Sequence, residues 1–95
     1  MIERHITFSV LRDRDAAFER FFADEYRPPV TAMPGFVACY LLREIDQPQR
    51  YQIVFRWETA EDAVGWRTSE IHQSLQPELE ALHEGMDVTA YTTVG

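Results

Sequence analysis

The chain has 95 residues and a formal net charge of −7, and its length predicts one domain over residues 1–95. An acidic chain lacks the cationic surface that nucleic-acid binding requires, and no apolar run is long enough for a signal peptide or a membrane span. Cys39 is the sole cysteine, so neither an internal disulfide nor a cysteine metal cluster can form. We therefore expect a cytoplasmic protein that binds neither nucleic acid nor a membrane.

The first two elements are predicted to be a strand and a helix. Apolar residues occupy every second position of the strand: Ile6, Phe8 and Val10. Phenylalanines at helical spacing follow, and Asp13 or Asp15 can cap the helix that they predict. The Pro28–Pro29 pair disfavours helix, so we expect this helix to end near Arg27.

Two further strands are predicted to form an antiparallel hairpin. Pro34 and Gly35 are a strong turn signal. The following segment, 36–43, is apolar on both alternating faces, as expected of a strand that is covered on both sides. A short polar link over 46–49 then leads to an alternating strand over 51–57.

The remainder of the chain predicts a broken helical region and a fourth strand. Thr59 can serve as the helix N-cap, with acidic residues in the first turn. Pro77 interrupts the helical pattern and suits either the first turn of a final helix or a kink. Gly85 suits the position just past that helix. Residues 86–94 then alternate as a strand.

The order β-α-β-β-α-β predicts an α+β, ferredoxin-like fold with a four-stranded antiparallel sheet and helices on one face. The other face must be solvated or covered by a partner. Because the second strand is apolar on both sides, we expect a homodimer that forms through the sheet faces, and twofold homodimers are the commonest oligomers.

Three stretches, MPGFVACYLLR, YQIVFRWETAEDAVGW and RTSEIH, resemble the antibiotic biosynthesis monooxygenase (ABM) domain family of the dimeric α/β-barrel superfamily. The order and spacing of Pro-Gly-Phe, Trp-Glu, an acidic helix start, Trp, Ser and His carry the resemblance. It implies a homodimer whose two sheets form a barrel, with a ligand cavity between helices and sheet in each subunit. It also implies kinship with cofactor-independent monooxygenases, haem-degrading enzymes and small isomerases, among which the fold alone does not choose.

Two departures speak against the haem-degrading branch of the family. Its iron-ligating histidine comes almost three turns later, in a region where this chain has Leu75 and Gln76. It also uses a first-strand asparagine, where this chain has His5, Thr7 and Ser9. The chain has no close histidine spacing for a metal and no glycine-rich nucleotide motif. We therefore expect no metal and no cofactor.

Three residues are predicted to be catalytic: His72, Trp66 and His5. Trp66 can form a wall on which a planar substrate stacks, or it can anchor the helix to the sheet as a core residue. His72, with an ordinary pKa of about 6.5, can be the general base for a phenolic or enolic proton. It can equally be a hydrogen-bonded surface residue. His5 can line the cavity or the dimer interface, or it can be structural.

Four strand residues are predicted to bind substrate: Tyr40, Phe55, Arg56 and Tyr91. Arg56 can polarise a substrate oxygen or pair with a carboxylate, either the substrate's or that of Glu44 or Glu58 at the dimer edge. The two tyrosines can donate hydrogen bonds to a carbonyl, or keep half-buried rings with the hydroxyl at the rim.

These residues together predict a cofactor-independent monooxygenase acting on a small aromatic, polyketide-like or enolic substrate. Two alternatives stay open at this point. One is an isomerase or cyclase that uses the same base without oxygen, and the other is a non-catalytic ligand-binding dimer.

Overall fold

The computed structural model describes residues 1–95 and has four strands and three helical segments. In chain order the elements are β1 (Ile2–Val10), α1 (Asp15–Phe21), a π-helical stretch (Phe22–Tyr26), α2 (Arg27–Val30), β2 (Phe36–Arg43), β3 (Arg50–Trp57), α3 (Ala60–Arg67), α4 (Glu70–Leu82) and β4 (His83–Thr92). The first helical segment consists of α1, the π-helical stretch and α2, which follow one another without a break, and the other two are α3 and α4. The strands form one antiparallel sheet in the order β2-β3-β1-β4. The predicted ferredoxin-like α+β fold is confirmed. None of its helices has both the length and the apolar character needed to cross a bilayer.

The strand register sorts the side chains of the sheet onto two faces. Alternate residues of β1, among them Arg4 and Phe8, face the helices. His5 lies on the opposite face, where it is in register with Val54 of β3 and Thr89 of β4. This second face, called the open face below, carries no helix.

The hydrophobic core lies between the helices and the other face of the sheet. Its largest fully buried side chains are aromatic: Trp57, Trp66, Tyr26, Tyr51, Phe8, Phe18 and Phe55. Cys39 belongs to the same core, and burial raises the pKa of its thiol to about 12. The thiol therefore stays protonated at neutral pH and serves as a packing group.

The first helical segment continues past the predicted end near Arg27. A π-helical stretch leads into α2, which includes Pro28 and Pro29 and ends at Val30. Both prolines lie in the first turn of α2, where a backbone N–H needs no partner within the helix. The widened π turn thus lets the segment pass through a pair of residues that would end a regular helix.

The second helical region is broken between α3 and α4, and not at Pro77. Thr59 caps α3, as predicted, since its Oγ1 accepts a hydrogen bond from the Asp62 N–H at 3.1 Å. Ser69 caps α4 in the same way by accepting from the His72 N–H at 3.1 Å. Pro77 lies inside α4 and is exposed to solvent. Because proline has no N–H, the Gln73 carbonyl one turn earlier lacks its helical hydrogen bond, and Gln73 is also exposed to solvent.

Strand β4 begins earlier than predicted, directly after α4. His83 already pairs with Val10 of β1, and the register shifts between Ser9 and Val10. Gly85 therefore lies within β4, opposite Ser9, and does not cap the helix. Glycine is common beside such strand irregularities, so the pattern that suggested a helix cap has a local explanation in the sheet.

Candidate active site

A cavity of about 170 Å³ lies between the sheet and helices α3 and α4. Ten of its 14 lining residues are hydrophobic. The polar residues of the lining are Arg4, Arg67, His72 and Gln76. A mostly apolar cavity with a few converging polar groups is the usual form of a small-molecule site.

Trp66 forms part of the cavity wall and is almost completely buried. Its ring meets the His72 ring edge-on, with 5.2 Å between centroids, and it meets the Tyr26 ring in the same way at 5.7 Å. The indole N–H approaches the Tyr26 hydroxyl without completing a hydrogen bond. Trp66 therefore packs in the core and also forms part of the cavity wall.

His72 belongs to the first turn of α4, which the Ser69 cap holds in place. Burial lowers the pKa of its imidazole below the usual 6.5, and the positive charges of Arg67 and Arg4 act in the same direction. The backbone of Arg67 opposes this shift in part. His72 is consequently a neutral imidazole at pH 7, which is the form that accepts a proton.

Gln76 orients the His72 ring from one helical turn further along α4. Its side-chain nitrogen lies 3.0 Å from His72 Nε2. When the amide N–H donates to Nε2, the ring proton of the neutral imidazole resides on Nδ1. His72 Nδ1 is buried and approaches the backbone of Arg67 without completing a hydrogen bond of full geometry. Gln76 therefore holds the basic nitrogen, Nε2, and Nδ1 carries the ring proton.

Tyr26 closes the side of the cavity formed by the first helical segment. Its side chain is buried against Trp66 and Phe55. Burial raises the pKa of Tyr26 above its usual value of 10.0, so the phenol stays protonated and uncharged at neutral pH. It contributes a hydroxyl group and no negative charge.

Comparison with known proteins shows the family to which the chain belongs. Residues 1–78 match the family described as "Antibiotic biosynthesis monooxygenase". The chain belongs to the ABM family. No curated protein shows a significant match.

Three solved structures illustrate how closely the ABM fold is kept. "Putative antibiotic biosynthesis monooxygenase" structures from Bordetella bronchiseptica and Nitrosomonas europaea superpose with TM-scores of 0.87 and 0.88 at 29% and 18% identity. The first match covers 98% of this chain and 96% of the other, and the second covers 100% of both. SnoaB from Streptomyces nogalater, a cofactor-independent oxygenase solved as the N63A mutant, has a TM-score of 0.86 at 24% identity, covering 97% of this chain and 91% of SnoaB.

The cavity of this ABM protein brings together three of the residues predicted from sequence. Trp66, His72 and Phe55 all line it. Its other polar residues, Arg4, Arg67 and Gln76, were not predicted. The sequence held one signal for Arg4, because this charged residue occupies an apolar-face position of β1, two before Ile6.

The remaining predicted site residues lie on the open face of the sheet. His5 donates from Nε2 to a Glu3 carboxylate oxygen at 2.6 Å and packs on Tyr91, with ring centroids 4.7 Å apart. Arg56 Nε lies 3.4 Å from the other oxygen of Glu3, so it pairs with neither glutamate named above. Tyr40 is in register with Val54 on the same face. These four residues are separated from the cavity by the sheet itself.

The structure brings together no group of three or more His, Cys, Asp or Glu side chains spaced to hold a metal ion. The three histidines lie apart: His5 on the open face, His72 at the cavity, and His83 where α4 meets β4. His83 Nδ1 donates to the Leu79 carbonyl oxygen at 2.7 Å, and its ring packs edge-on against Phe8.

Proposed function

We propose that this ABM protein is a cofactor-independent monooxygenase that oxidises a small aromatic or enolic substrate in the cavity beside Trp66 and His72. The observation that carries the proposal is the placement of a neutral, partly buried imidazole and a large aromatic wall in one cavity. The similarity to SnoaB, described as a cofactor-independent oxygenase, supports the same activity.

The first step is binding and proton removal. The planar substrate packs against Trp66 and Phe55, which orients its acidic C–H or O–H toward His72. His72 takes up the proton on Nε2, once the substrate displaces the Gln76 amide from that nitrogen, and leaves a resonance-stabilised anion on the substrate. A base whose pKa lies below 6.5 is available in its neutral form throughout the physiological pH range.

The second step uses dioxygen as co-substrate. The anion transfers one electron to oxygen, the resulting radical pair combines into a C–O bond, and the peroxide anion regains the proton held by His72. The substrate carbon that bonds to oxygen starts as a CH₂ group, in the keto form of the substrate, and loss of water converts it into a ketone. In total, CH₂ and O₂ give C=O and H₂O. The largely apolar lining keeps bulk water away from the reactive anion.

Homodimerisation through the open face is part of the same proposal. Three large residues on that face are substantially exposed in the single chain: Tyr40 at 44%, Leu42 at 47% and Tyr91 at 49%. Exposed apolar groups gathered on one sheet face are typical of a protein interface. A second copy covering this face would bury them and, with them, the His5–Glu3–Arg56 group.

Oxygen uptake with a naphthol or an anthrone, in the presence of a metal chelator, tests the proposed activity. His72→Ala should lower kcat by roughly 10²–10⁴-fold, the usual contribution of a positioned base. Trp66→Phe, which keeps a ring in the wall, should mainly raise KM. Gln73→Ala, an exposed position in the same helix, is the control and should leave turnover unchanged.

Three results would redirect the proposal. Substrate conversion without oxygen consumption would identify an isomerase or cyclase that uses the same base. Unchanged turnover in both His72→Ala and Trp66→Phe would remove the site assignment. A folded protein that binds these ligands without converting them would be the non-catalytic binding dimer.

A further inference from the structure

Two arginines at the cavity have no partner within the protein. Arg4, on β1, and Arg67, at the end of α3, both line it, and neither forms an ion pair or a side-chain hydrogen bond. They are close enough for the charge of Arg67 to lower the pKa of Arg4, after the larger effect of burial. Arg4 is thus a partly buried cation beside a second cation.

This arrangement is unusual in so acidic a chain. Acidic residues outnumber Lys and Arg by 16 to 9. Other arginines of the chain form ion pairs with acidic residues: Arg43 pairs with Asp15 and Glu19, and Arg50 pairs with Glu44. No aspartate or glutamate lines the cavity, and Tyr26 remains a neutral phenol there. The cavity is therefore a positive site inside a protein of net charge −7.

The partly buried, unpaired guanidinium of Arg4 is costly unless a ligand compensates it, and the exposed Arg67 adds a second positive charge beside it. The planar guanidinium binds carboxylate and other oxyanion groups through two parallel hydrogen bonds, so an oxyanion is the compensating group of best fit. His72 is neutral and leaves Arg4 and Arg67 as the only charges facing the ligand. The two arginines therefore favour a ligand whose polar end is an anion.

The volume of the cavity limits the rest of the ligand. An apolar cavity of about 150 Å³ holds benzene, and this one measures about 170 Å³. One or two fused rings fit beside Trp66 and Phe55, with the substituent directed to the arginines. A three-ring anthrone exceeds this space and would have to extend out of the cavity.

We propose that the cavity recognises an aromatic or enolic ligand of one or two rings that carries an oxyanion, and that Arg4 and Arg67 bind this oxyanion. The proposal rests on the proposed function and specifies its substrate class. The oxyanion has two possible sources. It is either a permanent carboxylate or the phenolate or enolate oxygen that forms when His72 removes the proton.

Calorimetric binding to the unmodified chain separates these cases without requiring turnover. The probes are 2-naphthoate, its neutral isostere 2-naphthamide, and 2-naphthol. We expect naphthoate to bind at least roughly tenfold more tightly than naphthamide, as charge-assisted hydrogen bonds to arginine predict. Naphthol binding that tightens as pH rises toward its own pKa would assign the oxyanion to the ionised substrate, and naphthoate binding alone would assign it to a carboxylate.

Arginine variants show whether the two named residues are responsible. Arg67→Gln, at an exposed position that tolerates change, and Arg4→Gln should each weaken naphthoate or naphtholate binding about fivefold to tenfold and leave naphthamide unaffected. Arg12→Gln, an exposed arginine that does not line the cavity, should change nothing. Circular dichroism establishes that each variant is folded.

Equal affinity for naphthoate, naphtholate and naphthamide would overturn the proposal, and so would anion binding that survives both arginine substitutions. Absence of binding by all three probes would overturn it as well. Anion binding without oxygen consumption would leave this inference standing while the monooxygenase proposal fails. Oxygen consumption that neither Arg4→Gln nor Arg67→Gln changes would leave the monooxygenase proposal standing while this inference fails.

Discussion

Replacement of Gly35 by alanine adds only one methyl group but should destabilise the fold strongly. Gly35 has a φ of +74°, in the left-handed region, and an added Cβ would lie 2.0 Å from Asp62 Oδ2 and 2.1 Å from Asp62 Cγ. That carboxylate accepts a hydrogen bond from Thr59 Oγ1 at 2.8 Å, within the cap of α3. The Gly35 carbonyl also accepts from the Glu58 N–H at 2.9 Å, at the end of β3.

The cost of Gly35→Ala follows from these contacts. Placing a side chain at positive φ costs roughly 1–2 kcal/mol. Moving the Asp62 carboxylate aside forfeits the hydrogen bond from Thr59, worth about 0.5–1.5 kcal/mol. The free energy of unfolding should therefore fall by about 2–3 kcal/mol, which lowers Tm by roughly 10–20 °C in a domain of this size.

Urea and thermal unfolding followed by circular dichroism measure this change, and Gly65→Ala is the matched control. Gly65 lies in the interior of α3, and an added Cβ there would meet no atom within 4 Å. The same substitution should stabilise the protein at this position by up to about 1 kcal/mol, because alanine is the better helix former.

A double-mutant cycle with Asp62→Ala isolates the part of the cost that comes from the carboxylate. In that background Gly35→Ala should be less destabilising, because the displaced carboxylate is gone, while the positive-φ term and the 2.7 Å approach to the Cβ of residue 62 remain. A loss of less than about 0.5 kcal/mol in the single variant would refute the positive-φ argument. An equal loss in both backgrounds would refute the role given to the Asp62 side chain.

Two further predictions concern the site and the open face. Burial holds the pKa of His72 below 6.5, so the unfolded chain takes up this proton first as pH falls. The contribution of His72 to the free energy of unfolding is therefore complete above about pH 6.5 and is lost as pH falls from there through the lower pKa of the folded state. His72→Gln should make the free energy of unfolding, measured with urea, fall less steeply in this pH range. Parallel curves for the two proteins would contradict this prediction. Leu42→Glu should convert a dimer into a monomer in light scattering, whereas Ile45→Glu, at a position 93% exposed in the β2–β3 link, should not. A dimeric Leu42→Glu variant would exclude the open face as the interface.

The sequence predicted the elements of this fold more accurately than their ends. The apolar run that follows the Pro34–Gly35 turn located β2 at the residues where it is found, and Thr59 was identified as the cap of α3. The errors fell where local rules depend on their neighbours. The Pro28–Pro29 pair does not end the first helical segment, because a π-helical stretch precedes it, and Gly85 belongs to a strand irregularity.

The site was only partly accessible from sequence, for a geometric reason. A residue on a strand belongs to one of two faces, and the pattern along one strand does not say which ligand or partner each face meets. His5 and Arg4 are adjacent in the chain, yet one lies on the open face and the other at the cavity. The prediction chose His5 because histidine suits catalysis, and it passed over Arg4.

The sequence by itself determined the order of strands and helices, the apolar face of each, and the resemblance to the ABM family, because these depend on short-range periodicity and spacing. Tertiary structure alone decided which polar groups meet. Trp66 belongs to α3 and His72 to α4, on either side of the helix break, and only packing against the sheet places both rings on one cavity. The charges of Arg4 and Arg67 converge there from β1 and α3 without an acidic partner. No local pattern encodes this, because the absence of a partner is a property of the whole fold.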